Sequence, residues 1–245
     1  MDLKATLQYI VDLAAPKTFQ IDGETYSTEK LYPVEEPLYY PERLTVHSLD
    51  AIVKLLRAEL DDYLTGGNSA PLPLFVRIDG PRQVSVFSRM DDRCKRDYLY
   101  VAECNDSDFR EGWRNQQEAI IELRSRFLPT DDTAYLLDLI SRINTEEGVK
   151  SEDNGVSQTV VAKKGVTLQQ TELVKPRVSL RPFRCFREVA QPESEFILRL
   201  DEDGRVGLFE ADGGIWKMEA KDNILNYFCQ NLISEIEDGK VVVMV

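Results

Sequence analysis

The sequence predicts an α+β protein in which mostly antiparallel sheets carry an inserted helical hairpin, and a C-terminal helix is followed by a terminal strand. Three observations predict it. Residues 49–64 present one apolar face at helical spacing behind a capping serine. Three alternating runs between Leu74 and Cys104 are separated by turn residues. The second half is mostly short strand-like runs that end in an amphipathic segment and "KVVVMV".

In chain order, Leu3, Leu7, Ile10, Val11 and Ala14 recur near helical spacing and Pro16 stops them, so residues 3–14 are expected to be a short helix. Pro33, Pro37 and Pro41 among Tyr26, Tyr32, Tyr39 and Tyr40 disfavour a long helix or a central strand. Residues 1–43 therefore read as a helix and an extended arm, with a short hairpin around Asp22-Gly23. Residues 44–245 read as the α+β core domain.

In that domain Ser48 caps a helix carrying Leu49, Ile52, Val53, Leu56, Leu60 and Leu64, which Gly66-Gly67 ends. "LFVRID", "RQVSVFSR" and "DYLYVAEC" form a meander. Helical periodicity from Asp108 to Phe127 places Phe109, Trp113, Ile120, Leu123 and Phe127 on one side. Pro129 breaks it, and Thr130 caps a second helix through Ile143. A C-terminal sheet is expected over 156–219, with strands near 156–162, 166–173, 177–180, 195–200, 205–209 and 215–219, then a helix over 222–236 and a strand over 240–245.

At 245 residues the chain can bury a core without metals or disulfides, and no cofactor is expected. Forty-three acidic residues against 30 basic ones give a net charge of −13, which keeps the chain soluble and repels polyphosphates over most of its surface. Cys94, Cys104, Cys185 and Cys229 form no C-x-x-C pair, which fits a reduced cytoplasm. "MDLKATLQYIVDLAAP" lacks a basic region before a long apolar core, and no window reaches the roughly 18 apolar residues of a membrane span. Neither secretion nor membrane insertion is expected.

No reaction is announced by the residues. His47 is the sole histidine and no G-x-S-x-G elbow accompanies it, so it reads as a half-exposed loop residue. Asp201-Glu202-Asp203-Gly204 resembles the start of a calcium loop, but position twelve falls on Asp212 with glycines after it, which favours a β-turn. Asp131 and Asp132 suit the first turn of a helix. Asp203 or Asp212 with Glu219 and Lys221 resembles a magnesium nuclease core, in which carboxylates hold the ion and the lysine orients water. No Walker A or G-x-G-x-x-G run occurs.

The strongest charge anomaly is 163–187, "KKGVTLQQTELVKPRVSLRPFRCFR". Lys163, Lys164, Lys175, Arg177, Arg181, Arg184 and Arg187 stand against Glu172 alone, a net of +6 that leaves −19 on the rest of the chain. With Phe183 and Phe186 interleaved, the segment suits either protein contact in a homo-oligomer or stacking on single-stranded nucleic acid. Protein contact is favoured because the acidic background weakens a phosphate funnel.

"SEDNGVSQTVVAKKGVTL", continued by "LVKPRVSLRPFRCFREVAQPESEFILRL" and "LFEADGGIWKMEA", resembles the YfdQ-like proteins of tailed phages and prophages, as does "TVHSLDAIVKLL" nearer the N-terminus. The resemblance covers most of the chain from about Leu44 onward and brings no catalytic residues with it. It implies a phage or prophage accessory protein of the bacterial cytoplasm with a structural or binding role. Self-assembly into a homo-oligomer is the first expectation, with subunit contacts from the arm, the strand candidates Val156–Ala162 and Lys240–Val245, and the basic segment.

Overall fold

The computed structural model describes residues 3–14, 17–21, 24–27, 42–65, 70–91, 94–105, 109–143, 158–164 and 168–245. The chain divides into two units, Met1–Tyr40 and Pro41–Val245. In the first, helix α1 (Leu3–Ala14) precedes an antiparallel hairpin of β1 (Thr18–Ile21) and β2 (Glu24–Ser27), where Phe19 stacks on Tyr26 with ring centroids 6.3 Å apart. The Asp22-Gly23 turn, the rest of the proline and tyrosine arm over 28–41, and Asp153-Asn154-Gly155 lie outside the described residues.

The second unit contains two large cores and a small cluster of Cys185, Trp216 and Ala220. In the first, β3 (Leu44–Val46) leads to α2 (Leu49–Thr65), whose start Ser48 caps by accepting the Ala51 N–H at 3.2 Å. The meander of β4 (Leu74–Gly80), β5 (Gln83–Phe87) and β6 (Tyr98–Glu103) is antiparallel as expected. Its flanks are not. β3 pairs parallel with β6 on one edge. The terminal strand β13 (Val241–Met244) pairs parallel with β4 on the other, giving the order β13-β4-β5-β6-β3. Parallel neighbours need long crossovers, which here include helices that cover one face.

That covered face joins Leu49, Ile52, Val53, Leu56 and Leu60 of α2 to Leu74, Val76, Ile78, Val84, Val86, Ala102 and Val241 of the strands. Ile224, Phe228 and Leu232, from the C-terminal helical region, complete it.

Two sequence expectations about where helices start are corrected. Residues 112–114 are not helix but strand β7 (Gly112–Arg114), and the helix α3 starts at Gln116 and runs to Arg126. Asn115 accounts for the late start. Its side chain accepts the Glu118 N–H at 2.8 Å while Glu118 accepts the Asn115 N–H at 3.2 Å, a reciprocal capping box. Thr130 caps α4 (Asp131–Arg142) through the Thr133 N–H at 3.1 Å, and the helical hairpin forms as expected.

The hairpin covers a four-stranded antiparallel sheet in the order β10 (Arg177–Leu180), β11 (Ser194–Leu200), β12 (Val206–Glu210), β7. Phe196 sits at its centre, with Phe109 edge-on at 5.3 Å and Phe127 at 6.4 Å. The expected C-terminal sheet is therefore divided: among the described residues β8 (Gln158–Lys164) and β9 (Leu168–Val174) pair only with each other, as an antiparallel hairpin.

The second correction lies at 215–219, expected as strand. Helix α5 spans Trp216–Asn231 and a short α6 follows at Ile233–Glu237, so Asp222 is interior to a helix and does not cap one. Asp212 organises the start by accepting the Gly214 N–H at 2.9 Å and the Trp216 N–H at 3.3 Å, across two glycines held at φ +64° and +83°.

Trp113 on β7 lies edge-on to Phe209 at 5.8 Å and covers Gly207, where an added Cβ would stand 2.8 Å from the Phe209 ring and 3.0 Å from Trp113. Gly207→Ala is expected to displace Trp113 and cost about 1–3 kcal/mol. Denaturant unfolding, with tryptophan fluorescence as the second readout, checks this; unchanged stability would contradict the packing.

Candidate functional site

The basic segment mostly satisfies its charge within its own chain. Lys163 and Lys164 close β8, opposite Gln169 and Leu168. The Lys175 ammonium lies 2.8 Å from Asp132 and 4.7 Å from the Tyr135 ring centre. Arg177 pairs with Glu195 and Arg181 with Glu193, each at 2.9 Å. Arg187 stacks on Phe183 at 4.5 Å. Backbone bonds from Leu128 to Arg181 (2.9 Å) and from Phe183 to Arg126 (2.8 Å) pin the segment to the helical hairpin.

Arg184 and Phe186 are withdrawn from the surface altogether, at 1 % exposure each. Phe186 packs into the first core, so it cannot serve as the base-stacking platform expected of it. The Arg184 guanidinium stacks 3.9 Å from the Trp216 ring centre and donates to Glu210 at 2.6 Å and to the Ser194 hydroxyl. Ser194 in turn donates to Asp212 at 2.6 Å, and the Glu210 N–H donates to Glu111 at 2.7 Å. A buried guanidinium requires such compensation, since an uncompensated one costs several kcal/mol.

The loop after Arg184 is held by one side chain. Gln191 accepts the Arg184 N–H at 3.0 Å and the Cys185 N–H at 3.2 Å, and donates to the Phe186 carbonyl at 3.0 Å. The loop sends Glu188 to the start of α2, where it accepts the Leu49 N–H at 2.7 Å. No pattern within residues 44–65 signals this second cap, whose donor and acceptor are 139 residues apart.

Three carboxylates are tuned by these contacts. Burial pulls Asp132 upward, but the hydrogen bonds from Lys175 and the Ser179 N–H, with the Lys175 charge, leave it below the ordinary carboxylate value. Hydrogen bonding from Ser179, opposed by burial and joined by Arg181, holds Glu193 low. For Asp212, burial is outweighed by Ser194, the Gly214 and Trp216 N–H groups and the Arg184 charge.

The nuclease arrangement is not assembled. Glu219 and Lys221 share one face only on a strand; on α5 two residues apart they diverge by about 200°. Asp212 is committed to Ser194 and the helix start. Asp201 accepts the Asp203 and Arg205 N–H groups at 3.1 and 2.8 Å, the β-turn expected there. Among the described residues no three His, Cys, Asp or Glu groups are placed to hold a metal. His47 is exposed beside the Glu103 carbonyl (3.1 Å) and Asn105. Cys185 is buried, and burial first, with Cys104 nearby, pushes its thiol up to about 11, so it stays protonated and unreactive.

A cleft of about 490 Å³ opens beside the Arg184 cluster, lined by Asp79, Arg82, Phe109, Glu111, Trp216 and Lys217 among others. Sequence reasoning missed it because its walls come from three separated stretches of chain. No known protein family, curated protein or solved structure matches the chain.

Arg184→Ala leaves Glu210 and Asp212 without their cation and is expected to cost about 3–5 kcal/mol in urea unfolding. A loss below about 1 kcal/mol would show that the cluster is relaxed by water. A carboxylate lowered on folding stabilises above its unfolded value, near 4, and loses that contribution as the pH falls through its folded value. The wild-type melting temperature should therefore fall steeply below about pH 4, and Asp132→Asn should flatten that decline.

Proposed function

We propose that the protein is a phage or prophage accessory protein without catalytic function that self-assembles into a homo-oligomer through the free edge of β13. One observation carries this reading. Among the described residues β13 lies at the end of the five-stranded sheet, and β4 is its one ladder partner. The Leu74 N–H bonds to the Lys240 carbonyl at 2.9 Å, so alternation aims the N–H and C=O groups of Val241 and Val243 away from β4.

An apolar edge with unpaired backbone groups is a template for another strand. Val242 and Val245 are 38 % and 58 % exposed, and no carboxylate side chain occurs from Gly239 to Val245. Two copies carrying −13 each can therefore approach here without opposing acidic side chains. A two-fold axis would pair β13 with its copy antiparallel and close the edge.

The accessory role rests on the resemblance to YfdQ-like proteins over most of the chain from about Leu44 onward. A reducing bacterial cytoplasm suits four free thiols, and no helix among the described residues is long and apolar enough to cross a membrane. Nucleic-acid binding by 163–187 has less support, because Lys175, Arg177, Arg181 and Arg184 already meet carboxylates.

Light scattering after size exclusion tests the proposal. The wild type is expected to be a dimer or larger at micromolar concentration. Val243→Pro removes an outward N–H without touching the ladder to β4 and is expected to yield folded monomer. A monomeric wild type, or an unchanged mass for the variant, would overturn it.

A further inference from the structure

Outside the basic segment, cations gather on the outer face of the five-stranded sheet. Leu74, Val76, Ile78, Val84 and Val86 enter the helix-covered core, so the alternate residues Phe75, Arg77 and Phe87 project from the opposite face. Phe75 and Phe87 are directly paired and stacked, with centroids 5.5 Å apart, and Tyr98 lies 5.8 Å from Phe87. The Arg96 guanidinium lies 5.4 Å from the Phe75 centroid and 5.2 Å from that of Phe87. Arg77 lies 5.5 Å from the Phe87 centroid.

The composition differs from that of the basic segment in the balance of charge. Two guanidiniums share one phenylalanine ring, and among the described residues the carboxylate paired with them is Asp79, 2.6 Å from Arg77. Arg96 meets the Ser88 carbonyl at 3.4 Å and the two rings. Tyr98 is 51 % exposed, the Arg77 side chain is 46 % exposed, and Arg89 is exposed nearby in the chain.

We propose that this face binds single-stranded nucleic acid, with Tyr98 stacking on a base and Arg77 and Arg96 pairing with phosphates. A guanidinium laid along a ring keeps its N–H edge free to meet a phosphate, often with two bonds. An exposed aromatic ring on a sheet backed by helices accepts any unpaired base, which a duplex hides. An acidic peptide matches the charges but offers Tyr98 no flat partner. The net charge of −13 is screened beyond about 8 Å at physiological salt, so it weakens binding without abolishing a local contact.

Fluorescence anisotropy with a labelled oligothymidylate of about 16 nucleotides tests the proposal. Affinity should fall steeply between about 50 and 200 mM salt, and the matching duplex should bind much more weakly. Tyr98→Ala and Arg96→Ala are each expected to weaken binding about tenfold, whereas Tyr98→Phe keeps it. Circular dichroism melting confirms that the variants fold. No binding at low salt, binding unaffected by Tyr98→Ala in folded protein, or competition by polyglutamate as effective as by the oligonucleotide would overturn the assignment. So would a loss as large from Arg181→Ala, which lies in the basic segment.

Discussion

The buried charge of Arg184 is the constraint on which the rest of the second unit depends. Its guanidinium lies against the Trp216 ring, at the start of α5, and bonds to Ser194 on β11 and Glu210 on β12. Two residues on, Phe186 enters the first core; four residues before, Leu180 enters the second. A charge that must not be left alone thus fixes a strand pair, a helix start and a loop in one arrangement. Gln191 holds the backbone of that loop, and Glu188 carries its position to the start of α2.

This view changes what the net charge means. The run of +6 within a chain of −13 is largely the counterpart of carboxylates at 132, 193, 195 and 210, which the fold brings to it. Most of these pairs are partly exposed, so each adds little stability and chiefly sets position. The Arg184 pair is the exception because water is excluded from the guanidinium. The arginines on Phe75 and Phe87 follow another rule, with rings in place of most of the carboxylates.

Local chemistry was legible wherever a side chain caps its own helix, as with Ser48 and Thr130, and wherever strands follow one another through tight turns, as from Leu74 to Glu103. Trp113 was misread because Phe109, Trp113, Ile120, Leu123 and Phe127 keep helical spacing across a strand and a helix; Asn115 and Glu118 were the signal that separates them. The start of α5 carries no capping side chain at Ile215, and its polar partner Asp212 lies three residues earlier, beyond two glycines. Of the basic segment, the charges were readable but their partners were not, since burial of Arg184 and Phe186 is decided by contacts remote in sequence. The parallel edges formed by β3 and β13 were hidden for the same reason.

The terminal strand has a consequence for the order of events during synthesis. Every residue of the second core lies between Phe109 and Leu208, so that core can close on itself as soon as this stretch has left the ribosome. The first core is begun by Leu49 but needs Ile224, Phe228 and finally Val241, nearly 200 residues later. Its meander must wait with α2 alone on its apolar face, without Ile224 and Phe228, and with β4 as an open edge until β13 arrives. Long-range closure of this kind is slow. The nascent chain is therefore most prone to wrong pairing in the interval between translation of β4 and of β13.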